Sequence, residues 1–289
     1  MARMIATVLV VLAFLGGFLG SIHGLGDSLA VFRVLFSGLL LALALFWAGR
    51  RVVRVSLSAL AILGLGSVFW HKLPAGSPGP KVIYQKNLLH SNDNLPGVAD
   101  DILATDADFV TLQEVSIANE ALLERLKPVY PHQHLCRYTQ RSGIAILSRI
   151  APVDEGECGK AAGFAMLSFL DDDGPFTVMS LHLTWPFPRQ QARQVTRLTP
   201  VLQGIDGPVL IGGDFNMVPW SHALRQIARA SGSERAGPAL ASFLLGSLPV
   251  AIDHVFAPHG GRAEARPLLG ADHFGILARV HLRDPENAN

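Results

Sequence analysis

Three long apolar runs open the chain, and an alternation of short apolar runs with amphipathic stretches fills the rest. Met4 to Ser21 carries no charge over 18 residues, and at a rise of about 1.5 Å per residue it reaches most of the way across a hydrocarbon core of about 30 Å. Ser28 to Ala48 is interrupted only by Arg33 near its start, where a long side chain can snorkel to an interface, and Val52 to Trp70 carries Arg54 near its start. Almost no polar face breaks these runs, which argues against buried amphipathic helices and predicts three membrane spans. A cleavable signal peptide is the alternative for the first run, with Arg3 before it and Gly20 and Ser21 closing it. The two later runs would still hold the chain at a bilayer.

Basic residues orient the spans. Arg3 precedes the first run and Arg50, Arg51 and Arg54 crowd the turn between the second and third, whereas the first turn offers Asp27 and Arg33. Positive charge marks the cytoplasmic side, so an odd number of spans places everything after Trp70 outside the cytoplasm. Trp47 and Trp70 stand at span ends, where interfacial aromatic residues gather. Leu73 to Pro80, rich in Pro and Gly, denies regular hydrogen bonding. The expected organisation is therefore an anchor over residues 1–72, a linker over 73–80 and one globular unit over 81–289, which is long enough to build its own core.

After the linker the period changes. Lys81 to Leu89 and Phe109 to Val115 predict strands, with a short helix over Gly97 to Thr105 between them and a helix over Ile117 to Val129 behind. Ile144 to Ser148 predicts a further strand. Phe164 to Leu170 and Phe176 to Leu183 flank Asp171-Asp172-Asp173-Gly174-Pro175, which predicts a hairpin with a solvated acidic turn rather than a metal site. A helix from Arg189 to about Gln203, a strand at Val209 to Gly212, a helix from Ser221 to Ala230 and strands at Val250 to Ala257 and Gly275 to Leu282 complete the pattern. Mixed hairpins and crossover helices predict an α+β fold of two packed sheets with helices outside, not a single doubly wound sheet.

Charge changes the picture once it is divided between the two parts. The whole chain has 24 Lys and Arg against 23 Asp and Glu, a net of +1, but six of those basic residues and only one acid, Asp27, precede Lys81. The globular unit thus holds 18 basic and 22 acidic residues, a net of −4. Nonspecific nucleic-acid binding draws most of its strength from Lys and Arg neutralising phosphates, and this unit lacks that overall footprint. The two cysteines, Cys136 and Cys158, could pair outside the cytoplasm, although sequence does not show that they come within disulfide range.

Polar residues recur where the predicted strands end. Asn87 closes the first strand, Gln113 and Glu114 the next and His182 the hairpin's second strand; Asp214 and Asn216 follow Ile211-Gly212-Gly213, Asp253 interrupts Val250 to Ala257, and Asp272-His273 precede the last strand. Singly, each has a structural explanation: Asn87 as a turn residue, Glu114 at a helix start, Asp214 and Asn216 as an Asx turn before Pro219, His182 as a hydrogen-bonded histidine. Together they supply what metal-assisted phosphoester hydrolysis needs, provided they converge at one rim of the sandwich. His254 neighbours Asp253 and points to the opposite face of the strand. Trp185, Arg189 and Arg193 either line a substrate entrance or are the exposed side of an ordinary helix.

Seven blocks in order carry a resemblance: Asn87-Leu88-Leu89, Leu112-Gln113-Glu114-Val115, Ser142 to Ser148, Ser180-Leu181-His182-Leu183, Gly213-Asp214-Phe215-Asn216, Ile252-Asp253-His254-Val255 and Ala271-Asp272-His273. Nearly all of the globular unit resembles the endonuclease/exonuclease/phosphatase superfamily, the DNase-I-like metal phosphoesterases. That resemblance implies a four-layer α/β/β/α sandwich preceded here by three transmembrane helices. It implies Glu114 as ligand of a divalent cation, with Asn87 beside it and Asp272 completing the shell; hard oxygen donors suit Mg²⁺, or Mn²⁺, and no cluster of His and Cys competes for zinc. It implies His273 as general base oriented by Asp253, Asp214 orienting or deprotonating the attacking water, and His182 and Asn216 donating to phosphoryl oxygens. Ala271 stands where the superfamily usually has Ser, which weakens a local hydrogen bond and leaves the chemistry.

Three spans ahead of an external unit are similar to a bacterial membrane-anchored subgroup that includes the teicoplanin-resistance membrane protein, associated with dephosphorylation of a polyprenyl pyrophosphate lipid carrier. The implied partners are the lipid bilayer and a phosphate-bearing substrate, lipid-linked in preference to nucleic acid, met at the outer face of the cell membrane at high effective concentration. No protein partner is expected. The alternatives are an anchored extracytoplasmic nuclease and a catalytically idle binding module, the latter disfavoured because no expected metal or base position is missing.

Overall fold

The computed structural model describes residues 1–47, 49–73 and 76–284. Ala48, at the end of the second expected span, and Pro74 and Ala75, in the expected linker, lie outside the described residues.

Four helices come first: α1 (Ala2–Gly16), α2 (Gly24–Val31), α3 (Arg33–Phe46) and α4 (Arg51–Phe69). They do not form three spans. α1 has 15 residues, short of a crossing, and ends where Gly17 lets α2 fold back, since a Cβ there would meet Ala30 N and Leu29 C at 3.3 Å. The second run breaks at Phe32, with α2 and α3 bent by 67°. Among the described residues, Arg51–Lys72 is the one helix long and apolar enough to cross a membrane, and α2 with α3 adds at most one broken crossing.

The reason lies in two charged residues that hydropathy treats as interruptions. Arg33 does not snorkel outward: it is buried, donating to Gly17 O at 2.9 Å and Ser67 Oγ at 3.2 Å. Asp27 reaches a segment almost 200 positions away, its two oxygens accepting the N–H groups of His222 at 2.7 Å and Ala223 at 3.0 Å. Both are orphan donors at a helix start, where a carboxylate is favoured. Asp27→Ala should therefore leave two nearly buried donors unmade and lower the stability of the full chain by about 2 kcal/mol. Denaturant unfolding in detergent checks this, and an unshifted midpoint would contradict the clamp.

The rest of the described chain builds strands and further helices in the order β1 (Lys81–Asn87), α5 (Leu95–Ala104), β2 (Phe109–Gln113), α6 (Glu120–Leu126), β3 (His132–Thr139), β4 (Ser142–Ser148), β5 (Glu157–Gly159), β6 (Phe164–Asp171) and β7 (Gly174–His182). There follow α7 (Gln191–Gln203), β8 (Val209–Asp214), α8 (His222–Ser231), β9 (Glu234–Arg235), β10 (Phe243–Leu245), β11 (Leu248–Val250), β12 (Asp253–Ala257), β13 (Gly261–Arg266) and β14 (Gly275–Val280). One six-stranded sheet has the order β13, β14, β1, β2, β4, β3, and the other β5, β6, β7, β8, β12, β9, with β10 and β11 as a separate ribbon.

The two large sheets face one another through Ile83, Phe109, Ile146, Phe169, Val178, Leu210 and Val255. On the outer face of the first, Val98, Ile102, Leu122 and Leu126 of α5 and α6 pack on Tyr84, Val110 and Leu112. On the outer face of the second, Val195, Leu198, Leu224 and Ile227 of α7 and α8 pack on Met179, Leu181 and Ile211. Helix, sheet, sheet and helix are thus stacked as the expected four layers. Ala30, Val31 and Val68 from the N-terminal helices belong to that last cluster, and Trp220 Nε1 donates to Ala30 O at 2.8 Å. The helices therefore dock on the sandwich. Cys136 on β3 and Cys158 on β5 are disulfide-bonded, tying an edge strand of one sheet to an edge strand of the other.

Candidate active site

Strand register brings the polar strand ends together. In the first sheet β1 and β2 run parallel with Asn87 opposite Gln113, so Glu114 emerges just beyond the ladder with φ +55°. In the second, β7 runs parallel to β8 with His182 opposite Asp214, and β12 runs antiparallel with Asp253 opposite the same Asp214. Three functional side chains thus stand in one row across adjacent strands, about 4.8 Å apart by sheet geometry. The row can lie this close to the facing sheet because Gly212 precedes it: a Cβ there would run into Thr111 Oγ1.

Hydrogen bonds then join the sheets. Asn87 Nδ2 donates to Glu114 Oε1 at 3.2 Å and to Asp214 Oδ2 at 3.0 Å, while the Glu114 Oε2 accepts His90 N at 3.2 Å. His273 Nδ1 lies 2.8 Å from Asp253 Oδ2, and its Nε2 lies 3.9 Å from Asp214 Oδ2. His182 Nε2 approaches the same Asp214 oxygen at 3.6 Å. Asn216 N donates to Asp214 Oδ1 at 2.8 Å, and its side-chain amide donates to Leu183 O at 2.8 Å and to Asp214 at 3.2 Å. The Asn216 amide protons are thus directed to Leu183 O and Asp214 in this structure, so that Asn216 holds Asp214 in place.

The electrostatics follow from burial and from these partners. Burial alone would raise the Glu114 carboxyl, but the Asn87 hydrogen bond, the nearby His182 and the His90 donors hold it below the ordinary carboxylate range. Asp214, fully enclosed and beside Asp253, is pushed up to about 6. Burial would lower His273, yet the Asp253 and Asp214 carboxylates prevail and carry it up to about 10. Asp253 is depressed, because the His273 cation and donors from Ser242 and Gln85 outweigh its burial. The resting arrangement is an imidazolium between two carboxylates.

Over this row opens a cleft of about 450 Å³ whose lining includes Glu114, His182, Asp214, Asn216, Asp272 and His273. Asn87 and Asp253 lie beneath it, each bonded to a lining residue, so all eight expected residues are gathered at one place, with Asp272 at the exposed rim. Trp185 and Arg189 also line it, whereas Arg193 faces a neighbouring cleft. His254 turns away, with Nε2 against Met217 O at 2.9 Å. A hard divalent cation fits the donor set, since carboxylate oxygens of Glu114 and Asp272 stand at an open face, with the buried Asn87 amide beneath them holding Glu114. The other concentration of metal-binding atoms, His134 with Cys136 and Cys158, has its sulfurs joined in the disulfide.

Several supporting residues escaped the sequence reading. Gln85 Nε2 bridges Asp253 Oδ1 at 3.0 Å and Gln113 Oε1 at 2.7 Å, Ser242 Oγ accepts the N–H groups of Ile252 and Asp253, and the buried Lys86 Nζ holds His273 O at 3.0 Å. Phe243 covers the His273 ring with centroids 4.8 Å apart. The signal for Gln85 was present: it shares a strand face with Ile83 and Asn87, an inward position where an unexplained polar residue needs a partner.

Carboxylates gathered at an open oxygen-donor face, with a carboxylate-anchored imidazolium beside them, can withdraw charge from a phosphoryl group and handle the proton of water. Fold and site together define a metal-dependent phosphoester hydrolase. Over residues 85–273 the chain matches the Endonuclease/Exonuclease/phosphatase family, and it belongs to that family. Similar solved structures include an AP endonuclease from Archaeoglobus fulgidus (16% identity, TM-score 0.56, 68% of this chain and 98% of that one). Two more are sphingomyelinase C from Streptomyces griseocarneus (16%, 0.53, 70% and 99%) and a Staphylococcus aureus beta-toxin mutant with bound magnesium ions (16%, 0.54, 69% and 99%). Likeness at that identity establishes the sandwich. No match is found among curated proteins.

Proposed function

We infer that this hydrolase is held at the outer face of a cell membrane and uses Mg²⁺ to cleave a phosphoester or pyrophosphate bond of a lipid-linked substrate. The observation that carries the reading is the docking of the apolar N-terminal helices beside the catalytic cleft: Ser28 Oγ of α2 donates to Phe187 O at 2.7 Å, in the same loop that supplies Trp185 and Arg189 to the cleft. A bilayer that receives those helices brings its own lipids to the cleft mouth. The net of −4 over residues 81–289 disfavours nucleic acid as the main substrate.

Orientation is supported by where the charges fall. Arg3 Nη1 donates to Phe46 O, Arg50 precedes α4 and Arg51 begins it, so the basic end of the bundle is opposite the end at which His71 O accepts Ala239 N of the sandwich. Positive charge on the far side supports a catalytic part outside the cytoplasm. A disulfide between Cys136 and Cys158 suits that compartment.

In chemical terms, Glu114 and Asp272, with Asn87 beside them, would hold a divalent cation, which would supply Lewis-acid relief of the charge that builds on the phosphoryl group. Asp214, fixed by Asn87 and Asn216, accepts a proton from the attacking water as its oxygen bonds to phosphorus and the phosphorus–oxygen bond of the leaving group breaks. His273, kept charged and oriented by Asp253, stabilises that carboxylate, and His182 donates to a phosphoryl oxygen. The test is the full chain in phosphatidylcholine vesicles with Mg²⁺, offered a long-chain prenyl diphosphate, sphingomyelin and plasmid DNA. Turnover of a lipid that stops on chelation is expected. Cleavage of DNA with neither lipid touched would replace this reading with the anchored nuclease, and metal binding without any turnover with the idle module.

A further inference from the structure

Beside the catalytic cleft lies a second one of about 480 Å³. One wall is the turn that joins α1 to α2, with Ile22, His23 and Gly24; the other is the stretch from Pro186 to Arg193; His222, at the start of α8, also lines it. The walls are fastened together. Ser28 bonds the Phe187 carbonyl, the His23 ring packs on the Phe187 ring with centroids 5.2 Å apart, and Asp27 holds the start of α8. Arg189 lines both clefts, so its side chain is their common boundary.

The chemistry of the space is graded. Arg189, shared with the catalytic cleft, and Arg193 are both exposed, and neither is in an ion pair among the described residues. The one acid in the lining, Asp27, is buried with both oxygens accepting backbone N–H groups, so it does not cancel them. Toward the helices stand Ile22, 77% exposed, and Phe187, 47% exposed; Leu15 of α1, Phe18 and Leu19 of the turn after it and Leu25 of α2 are exposed as well. A guanidinium pair suits a phosphate, and an exposed apolar rim continuous with apolar helices suits hydrocarbon.

We propose that this second cleft is the bilayer-side arm of the substrate groove. The phosphate-bearing head of a membrane lipid passes between Arg193 and Arg189 to the catalytic cleft, and the first carbons of its chain rest between Ile22 and Phe187. The N-terminal helices then do more than tether: they form half of the substrate's path. This rests on the lipid-phosphate reading above and adds the route and the residues that select it.

Two variants test it on the full chain, Arg193→Glu on the sandwich side and Ile22→Glu on the helix side, both at exposed positions that leave the core alone. Each is assayed with a long-chain prenyl diphosphate embedded in phosphatidylcholine vesicles and with a short-chain, water-soluble prenyl diphosphate. For the embedded lipid, KM should rise about tenfold or more in both variants with kcat little changed, as loss of a charge-assisted phosphate contact predicts. For the soluble form, Ile22→Glu should act far more weakly. An unchanged KM for the embedded lipid, or an equal loss of kcat on both forms, overturns the groove while the lipid reading stands. If the wild-type chain turns over neither form, the lipid reading fails and the groove with it.

Discussion

Glu114→Gln should abolish cation-dependent turnover, a loss of about 1000-fold or more and so about 4 kcal/mol of transition-state stabilisation, while the sandwich stays folded. The amide has the carboxylate's shape, and its oxygen can still accept from Asn87 Nδ2 or His90 N, which are the contacts Glu114 makes now. What disappears is the negative charge, held ionised by those same donors and by His182, and with it the strongest hard ligand at the open face. The rate is measured against Mg²⁺ concentration beside the thermal unfolding curve. Chelation of the wild type should reach the same floor. A variant with undiminished rate and the same Mg²⁺ dependence would remove Glu114 from the metal role.

His273→Ala should cost both activity and stability, because it strips the cation from between two enclosed carboxylates. Turnover should fall by about 100-fold or more, and removal of one member of a buried pair should destabilise by about 3 kcal/mol. The pH dependence gives each effect a signature. In the wild type, Asp214 near 6 and His273 near 10 predict a rate that rises as pH passes about 6 and falls as it passes about 10. Without the imidazolium the Asp214 pKa climbs further, so the acid limb moves to higher pH. His273 has its folded pKa raised above the ordinary 6.5, so its stabilisation is complete below about 6.5 and is lost as pH rises through about 10. The stability gap between wild type and variant should close over that same window. An unshifted acid limb would argue that Asp214 and His273 do not share one site.

What could be read from residues alone, and what could not, divides along physical lines. Central strands such as β2, β4 and β8 announced themselves because both faces are covered, nearly every position is buried and each carries a short apolar run. The edge strands β3 and β13 did not: Gly261–Arg266 reads Gly-Arg-Ala-Glu-Ala-Arg, with a polar face turned to water and no apolar run to see. The expected strand from Val250 to Ala257 is divided, Val250 closing β11 and Asp253 opening β12. The eight candidate residues could be singled out because they lie at or near strand ends, and the fold gathers them at one cleft. Their supports were not, because Gln85, Lys86 and Ser242 act through partners as many as 187 positions away in the chain.

The largest departure is the N-terminal segment. Hydropathy weighs Asp27 and Arg33 as isolated penalties, but their partners are Gly17, Ser67, His222 and Ala223, and only the folded chain shows that the charges find hydrogen-bond partners where they lie. The acidic triplet at Asp171 to Asp173 went the other way: it is a hairpin turn, as its Gly-Pro flank implied, with Asp171 paired to Lys81 Nζ at 2.7 Å. The pairing of Cys136 with Cys158 could not be read beforehand, since it depends on two edge strands from different sheets meeting.

Anomalous diffraction from the full chain soaked with Mn²⁺ measures the arrangement most directly. The account predicts a manganese peak within about 2.5 Å of a Glu114 oxygen, a distance set by hard-cation coordination, in the cleft that His273 and Asp214 also line. A peak at the Asp171 to Asp173 turn, with none at Glu114, would contradict it.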